Sequence, residues 1–352
     1  MTVSAHVQLR TSPHIRKAPS VPVIMRNVVW AMLPICAYSV YQFGVSALAL
    51  LATCTFVCMA TEHGFCVASA KPTTVTDWSA AITGILLALT LPPGFPLWMA
   101  AVASFVGIAM GKVFFGGLGY NVMNPALVGR AFVQAAFTVP ITTWTPCLAQ
   151  NRFTEFIPST LTAPFMKPEP LSDWLATCMA SDGFTGATPL ALMKFETVPT
   201  EYVKLLVGTT AGSLGETSAL LILICGLYLI ARKMMDWRIV AGVLLAAFIT
   251  SGGIYLVNPN VYPDPFFMLM SGGLMLGAVF MATDMVASPV TPLGIWLYGA
   301  FIGVVTIIIR VFGGLPEGVM YAILLANAAS PLISSATQPR IYGSTGPSKA
   351  VS

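Results

Sequence analysis

A chain of 352 residues in which 56% are hydrophobic and only 9% charged is too apolar for a soluble fold, where about 25% of residues carry charge. Its length would accommodate two soluble domains, but the recurring apolar stretches favour one polytopic helical bundle. A net charge of +4 spread along the chain does not form the concentrated basic face that nucleic acid requires, and fits membrane topology better.

Residues 1–26 place Arg10, Arg16, Lys17 and Arg26 among prolines and serines, without the apolar core of a cleavable secretion signal. A cytoplasmic leader is expected. Apolar segments follow near 27–43, 45–69, 79–92, 95–115, 121–139, 209–232, 237–257, 265–283, 293–313 and 317–335. Several fall short of the roughly 20 residues that cross a bilayer, and 79–92 and 121–139 are expected to be tilted, broken or partly re-entrant. The organisation is then a leader (1–26), a first membrane unit (27–139), a polar loop (140–200), a second membrane unit (201–335) and a tail (336–352). Ten crossings put Arg10, Arg16, Lys17, Arg26, Lys71, Lys112, Arg232, Lys233, Arg238, Arg340 and Lys349 on the cytoplasmic side, against Arg152, Lys167, Lys194, Lys204 and Arg310 outside. Eleven against five obeys the positive-inside rule, leaves both termini cytoplasmic and puts the polar loop outside.

Phe115-Gly116-Gly117-Leu118 recurs as Phe312-Gly313-Gly314-Leu315, and residues 115–131 match 312–328 at eight positions. The copies precede the fifth and tenth segments. An all-α membrane fold of two inverted five-helix repeats is expected, since an odd number of crossings reverses the second copy.

The polar loop holds Asp182-Gly183-Phe184-Thr185-Gly186-Ala187-Thr188. One reading is a small-residue turn closed by Pro189. The other is a modification site, because Gly186 and Ala187 leave the Thr188 hydroxyl open. Upstream, the stretch 111–132 gathers glycines that allow helix breaks, with Asn121 and Asn124 to satisfy freed backbone groups. Arg130 lies within its helix, where a buried charge costs about 2.5–3.5 kcal/mol and calls for a polar partner or cofactor. It either snorkels or serves a site. At 208–218, Glu216 or Thr217 is expected to cap the following helix, and the loop amides offer an anion site. Asp284, in the stretch 270–294 before Pro289 and Pro292, caps a broken segment or binds a cation. With Glu62, Asp77 and Glu216 it makes the set of acidic groups in or beside the membrane. The seven cysteines lack a CxxC pair, and Cys147 and Cys178 are free or joined across the loop. Three scattered histidines indicate no metal centre.

The 182–188 motif, the stretches at 111–132, 208–218 and 270–294, and the leader at 12–16 and 24–34 together resemble the RnfD/NqrB family over nearly the whole chain. The resemblance implies a bacterial inner-membrane subunit of an ion-translocating ferredoxin:NAD+ oxidoreductase, the Rnf complex, that relays electrons coupled to Na+ or H+ transport. It implies FMN joined to Thr188 by a flavin transferase through a phosphoester, with Asp182, Thr185, Gly186 and Ala187 completing the signal. Asn121, Asn124, Arg130, Glu216, Thr217 and Asp284 would surround the flavin, and a second, noncovalent flavin such as riboflavin is a further implication. Partners would be the other components of the complex. The chain has no dinucleotide fingerprint with which to bind NADH itself. The NqrB-type subunit of a sodium-translocating NADH:quinone reductase, or a non-redox channel or transporter, are the alternative readings.

Overall fold

A computed structural model of the protein describes residues 20–168, 174, 187–198, 200–216, 218–259 and 261–339. Those residues form helices and connections, with no strand among them. The first half contains α1 (Val21–Phe43), α2 (Val45–Ala68), α3 (Ser79–Thr90), α4 (Leu97–Ile108), α5 (Pro125–Ala136) and the short α6 (Thr138–Thr142). Two short helices follow the polar loop, α7 (Pro189–Ala191) and α8 (Tyr202–Val207). The second half contains α9 (Ala219–Ala231), α10 (Trp237–Val257), α11 (Pro265–Met270), α12 (Leu274–Leu276), α13 (Pro292–Phe312) and α14 (Val319–Ala336).

Five helices, α1, α2, α10, α13 and α14, are long and apolar enough to cross a membrane. The protein is therefore a multi-pass membrane protein. The remaining apolar segments are shorter, as their glycines and prolines foretold. Segment 121–139 is helical only from Pro125, and segment 209–232 only from Ala219. Segment 265–283 is cut at Ser271–Gly273, where Gly272 takes φ +67°. Three π-turns, Ala109–Val113, Leu192–Glu196 and Gly277–Met281, add a residue to a helical run. Such turns reorient the side chains that follow, at the cost of regular hydrogen bonding.

Helix packing depends on small residues, as expected where lipid supplies no hydrophobic drive between helices. In α13, a Cβ added at Gly303 would stand 2.4 Å from the Val243 carbonyl oxygen of α10, so the two backbones touch there. Away from that seam, Ile249, Leu256 and Val257 of α10 and Phe56 of α2 are exposed, as lipid-facing side chains should be.

The polar loop is anchored to the helix ends. Gly44 joins α1 to α2 at φ +71°, and a Cβ there would fall 1.8 Å from the Arg152 carbonyl oxygen. That carbonyl accepts from Val45 N at 2.9 Å, while Arg152 Nε donates to Tyr41 O at 2.8 Å. Ile157 N donates to Ser46 Oγ at 2.9 Å, and Ser159 Oγ to Gly94 O at 2.6 Å. Cys147 carries a free thiol whose pKa is pushed up by burial, and Cys178 lies outside the described residues.

Two of the charges assigned to one side of the membrane prove to be internal. Lys112 Nζ donates to both Glu62 carboxylate oxygens at 2.7 Å and to Ser79 Oγ at 2.6 Å, with Lys112 and Glu62 only 3% and 2% exposed. Arg310 pairs with Glu317 at 3.0 Å and donates to Met268 O at 2.6 Å and Ser271 O at 3.1 Å. Neither charge therefore belongs in a count of loop charges on the two sides of the membrane.

Candidate functional site

Thr188 is the N-cap of α7. Its backbone is extended, Pro189 occupies the first turn, and its Oγ accepts from Ala191 N at 3.3 Å. The residue is 6% exposed and borders a cavity of about 380 Å3. Arg130, Trp144, Ala187, Glu216 and Glu317 also line that cavity. The walls come from α5, the polar loop, the connection before α9 and the turn between α13 and α14, so residues nearly 190 positions apart in the sequence meet there.

Arg130 projects from α5 into this space and is buried, and its Nε has no hydrogen-bond partner. A buried donor left unmatched costs about 1–3 kcal/mol, and more when charged, so the cavity offers a donor to an incoming acceptor. Glu317 is already committed. Its oxygens accept from Arg310 and from the Gly273 and Gly318 amides at 3.0–3.2 Å. Glu216 Oε2 accepts from Ser213 N at 3.4 Å. Arg130 therefore contributes the positive charge on a wall that also carries two carboxylates.

Other expected site residues are placed elsewhere. Asn121, Asn124 and Asp284 border a second cavity of about 110 Å3, together with Lys112, Ser79 and Met234. Asn121 Nδ2 donates to Asp284 Oδ2 at 3.2 Å, and Asp284 Oδ1 accepts from Val286 N at 3.0 Å. Asp284 thus caps its own turn and ties the two halves together, which fits the capping alternative. Asn124 caps α5 through Ala126 N at 3.0 Å and donates to Met281 O at 3.3 Å, matching the expected rescue of interrupted backbone. The resemblance groups these residues with Arg130 around flavin; the fold divides them between two cavities.

The loop before α9 also departs from expectation. Ser218, not Glu216, caps α9, accepting from Leu221 N at 3.2 Å. The Leu214 and Gly215 amides, expected as anion donors, are consumed by Leu91 O and Leu89 O at the end of α3, at 3.1 and 2.6 Å. Asp182, Thr185, Gly186 and Thr217 lie outside the described residues. Trp144 and Glu317 were missed, although Glu317 stands two residues beyond the second FGGL. No group of three or more metal-ligating side chains occurs among the described residues.

The structure defines a multi-pass helical membrane protein with a cavity between its two halves, lined by a buried arginine, two carboxylates and a capped threonine hydroxyl. The chain belongs to the NQR2, RnfD, RnfE family, which matches residues 8–343. It is 43% identical to the D-type subunit of the Na(+)-translocating ferredoxin:NAD(+) oxidoreductase complex of Acetobacterium woodii, over 97% of this chain and 96% of the relative. It is 38% identical to the D-type subunit of the proton-translocating ferredoxin:NAD(+) oxidoreductase complex of Clostridium ljungdahlii, over 95% and 96%. It is also 38% identical to the D-type subunit of the ion-translocating oxidoreductase complex of Stutzerimonas stutzeri, over 92% of each chain.

Proposed function

We propose that this chain is the D-type membrane subunit of an ion-translocating ferredoxin:NAD+ oxidoreductase and carries FMN through a phosphoester on Thr188. The observation that carries the cofactor assignment is the unpartnered Arg130 Nε in a cavity of about 380 Å3 that also reaches Thr188. That volume falls within the roughly 300–1,000 Å3 of small-molecule sites. Arg130 supplies charge toward the phosphate, and Trp144 and Phe195, both on the cavity wall, supply apolar surface. When bound, FMN provides the redox chemistry, while the protein provides position and electrostatics.

This reading places the chain in a bacterial cytoplasmic membrane with both termini inside and Thr188 outside, where a flavin transferase reaches it. The inverted five-plus-five arrangement is part of the same reading. It is supported by the recurrence of FGGL at 115–118 and 312–315, before the fifth and tenth apolar segments. A second, noncovalent flavin such as riboflavin fits the smaller cavity only if side chains withdraw, because about 110 Å3 is well below the range for such ligands. Coupling to ion movement requires that electron transfer favour one of two membrane conformations.

Two measurements test the assignment. Complex reconstituted with ferredoxin and NAD+ should turn over, whereas NADH with quinone should not; the reverse preference would move the chain to the quinone reductases. Arg130→Gln should retain covalent flavin yet slow electron transfer about tenfold or more, the scale of one lost charge-assisted hydrogen bond, and Arg130→Lys should recover part of it. Equal rates in all three proteins would remove Arg130 from the flavin site.

A further inference from the structure

Thr188 is buried in the docked protein, and this creates a difficulty for its own modification. Phosphoester formation joins the flavin phosphorus to Thr188 Oγ. In the same step the bond from that phosphorus to the AMP portion of a flavin dinucleotide breaks, AMP leaves with the electron pair, and the hydroxyl proton passes to a base on the transferase. The cavity has room for a small molecule, but not for the active site of a second protein. Residues 187–198 must therefore leave the bundle to be modified and return afterwards.

The attachment of this segment is unusually concentrated. Among the described residues, the hydrogen bonds that join 187–198 to the rest of the bundle all come from Lys194. Its Nζ donates to Arg310 O at 2.8 Å, Gly313 O at 2.5 Å and Leu315 O at 3.1 Å. These carbonyls belong to the end of α13 and to the second FGGL copy, where α13 runs out of helical partners for them. A lysine ammonium has three donors and no acceptor, so the three carbonyls satisfy it fully, at the negative end of the helix dipole. The π-turn Leu192–Glu196 carries Lys194. Buried Pro189 and Leu190 supply the remaining, apolar hold.

We propose that Lys194 and the Gly313–Leu315 carbonyls form a latch that sets the balance between a docked, flavin-sequestering position of the Thr188 segment and an undocked position open to the transferase. The proposal rests on the assignment of FMN to Thr188. Lys194 is a positioning residue that acts through the segment it holds. The latch also gives the second FGGL a role that helix packing alone does not require, because it presents backbone carbonyls to an incoming cation.

Lys194→Met keeps the aliphatic stem and removes the three donors; Lys194→Arg keeps charge but presents a planar fork in place of a point donor. With limiting transferase and flavin adenine dinucleotide, the Met variant should acquire covalent flavin severalfold faster than wild type. Its attached flavin should be quenched more strongly by iodide, and its ferredoxin-to-NAD+ electron transfer should fall. The Arg variant should lie between. A merely structural lysine predicts slower attachment, since a damaged fold is a poorer substrate, and slower or unchanged attachment would overturn the latch.

Thiol labelling separates this outcome from failure of the flavin assignment. In Thr188→Cys protein, where no flavin can attach through the hydroxyl, peptide mass spectrometry reports maleimide uptake at position 188. Adding Lys194→Met should speed that uptake severalfold. Faster labelling without any wild-type flavin on Thr188 would retain the latch and discard the flavin site; equal labelling would discard the latch whatever the flavin does.

Discussion

Thr188→Val is expected to remove all covalent flavin from the protein and to bring ferredoxin-to-NAD+ electron transfer to background, while the helical bundle stays folded. Valine matches threonine in shape but has no nucleophilic oxygen. The structural penalty is the loss of one N-cap hydrogen bond, Ala191 N to Thr188 Oγ, worth about 1 kcal/mol at the head of a three-residue helix. Large loss of function with small loss of stability is the signature of a modification site. Thr188→Ser should keep the flavin, because it keeps the hydroxyl and the cap. Thr185→Val should keep it as well. In-gel flavin fluorescence and flavin-peptide mass spectrometry read all three, and a flavin peptide carrying its modification at Thr185 would reverse the assignment.

The parts of this molecule that were legible in the sequence are those fixed by local chemistry. Length and apolarity located α1, α2, α10, α13 and α14 within a few residues, apart from the first, which begins at Val21 where 27 was expected. Glycine and proline marked the segments that break. Asn124 was recognisable as a residue that services interrupted backbone, because an asparagine before Pro125 at a helix start has little else to do. Thr188 was singled out by the resemblance, and it is buried on the wall of the larger cavity.

What the sequence concealed depends on which helix ends meet. Asn121 and Arg130 are nine positions apart on one stretch and suggested one site, yet the turn into α5 directs them to different cavities. Glu216 looked like a helix cap until Ser218 proved better placed. Lys112, Lys194 and Arg310 were each assigned to one side of the membrane for the topology count. Two of them form buried ion pairs and the third holds a carbonyl cluster, because π-turns and a helix end redirect them inward. Periodicity carries no signal for such redirection, since one inserted residue rotates everything after it.

The buried Glu62–Lys112 pair should be the most sensitive structural site in the first half. Glu62 belongs to α2, Lys112 to the π-turn after α4, and Ser79 to the start of α3, so one ammonium joins three helices. Lys112→Met would leave a carboxylate 2% exposed with the Thr74 hydroxyl as its remaining side-chain donor among the described residues. Breaking a buried pair in this way costs about 3–5 kcal/mol, a large share of the roughly 5–15 kcal/mol that holds a typical domain together. The expected result is a clear fall in the unfolding midpoint in detergent and poor recovery of assembled complex. Glu62→Gln should also destabilise, leaving the ammonium with Ser79 Oγ and a neutral amide. Combining Lys112→Met with Glu62→Gln should restore much of the loss, because no uncompensated charge then remains. The coupling energy of that cycle isolates the pair from the separate effects of each side chain. Additive losses, or a Lys112→Met protein as stable as wild type, would mean that water or lipid reaches Glu62 and that the three helices are held by packing alone.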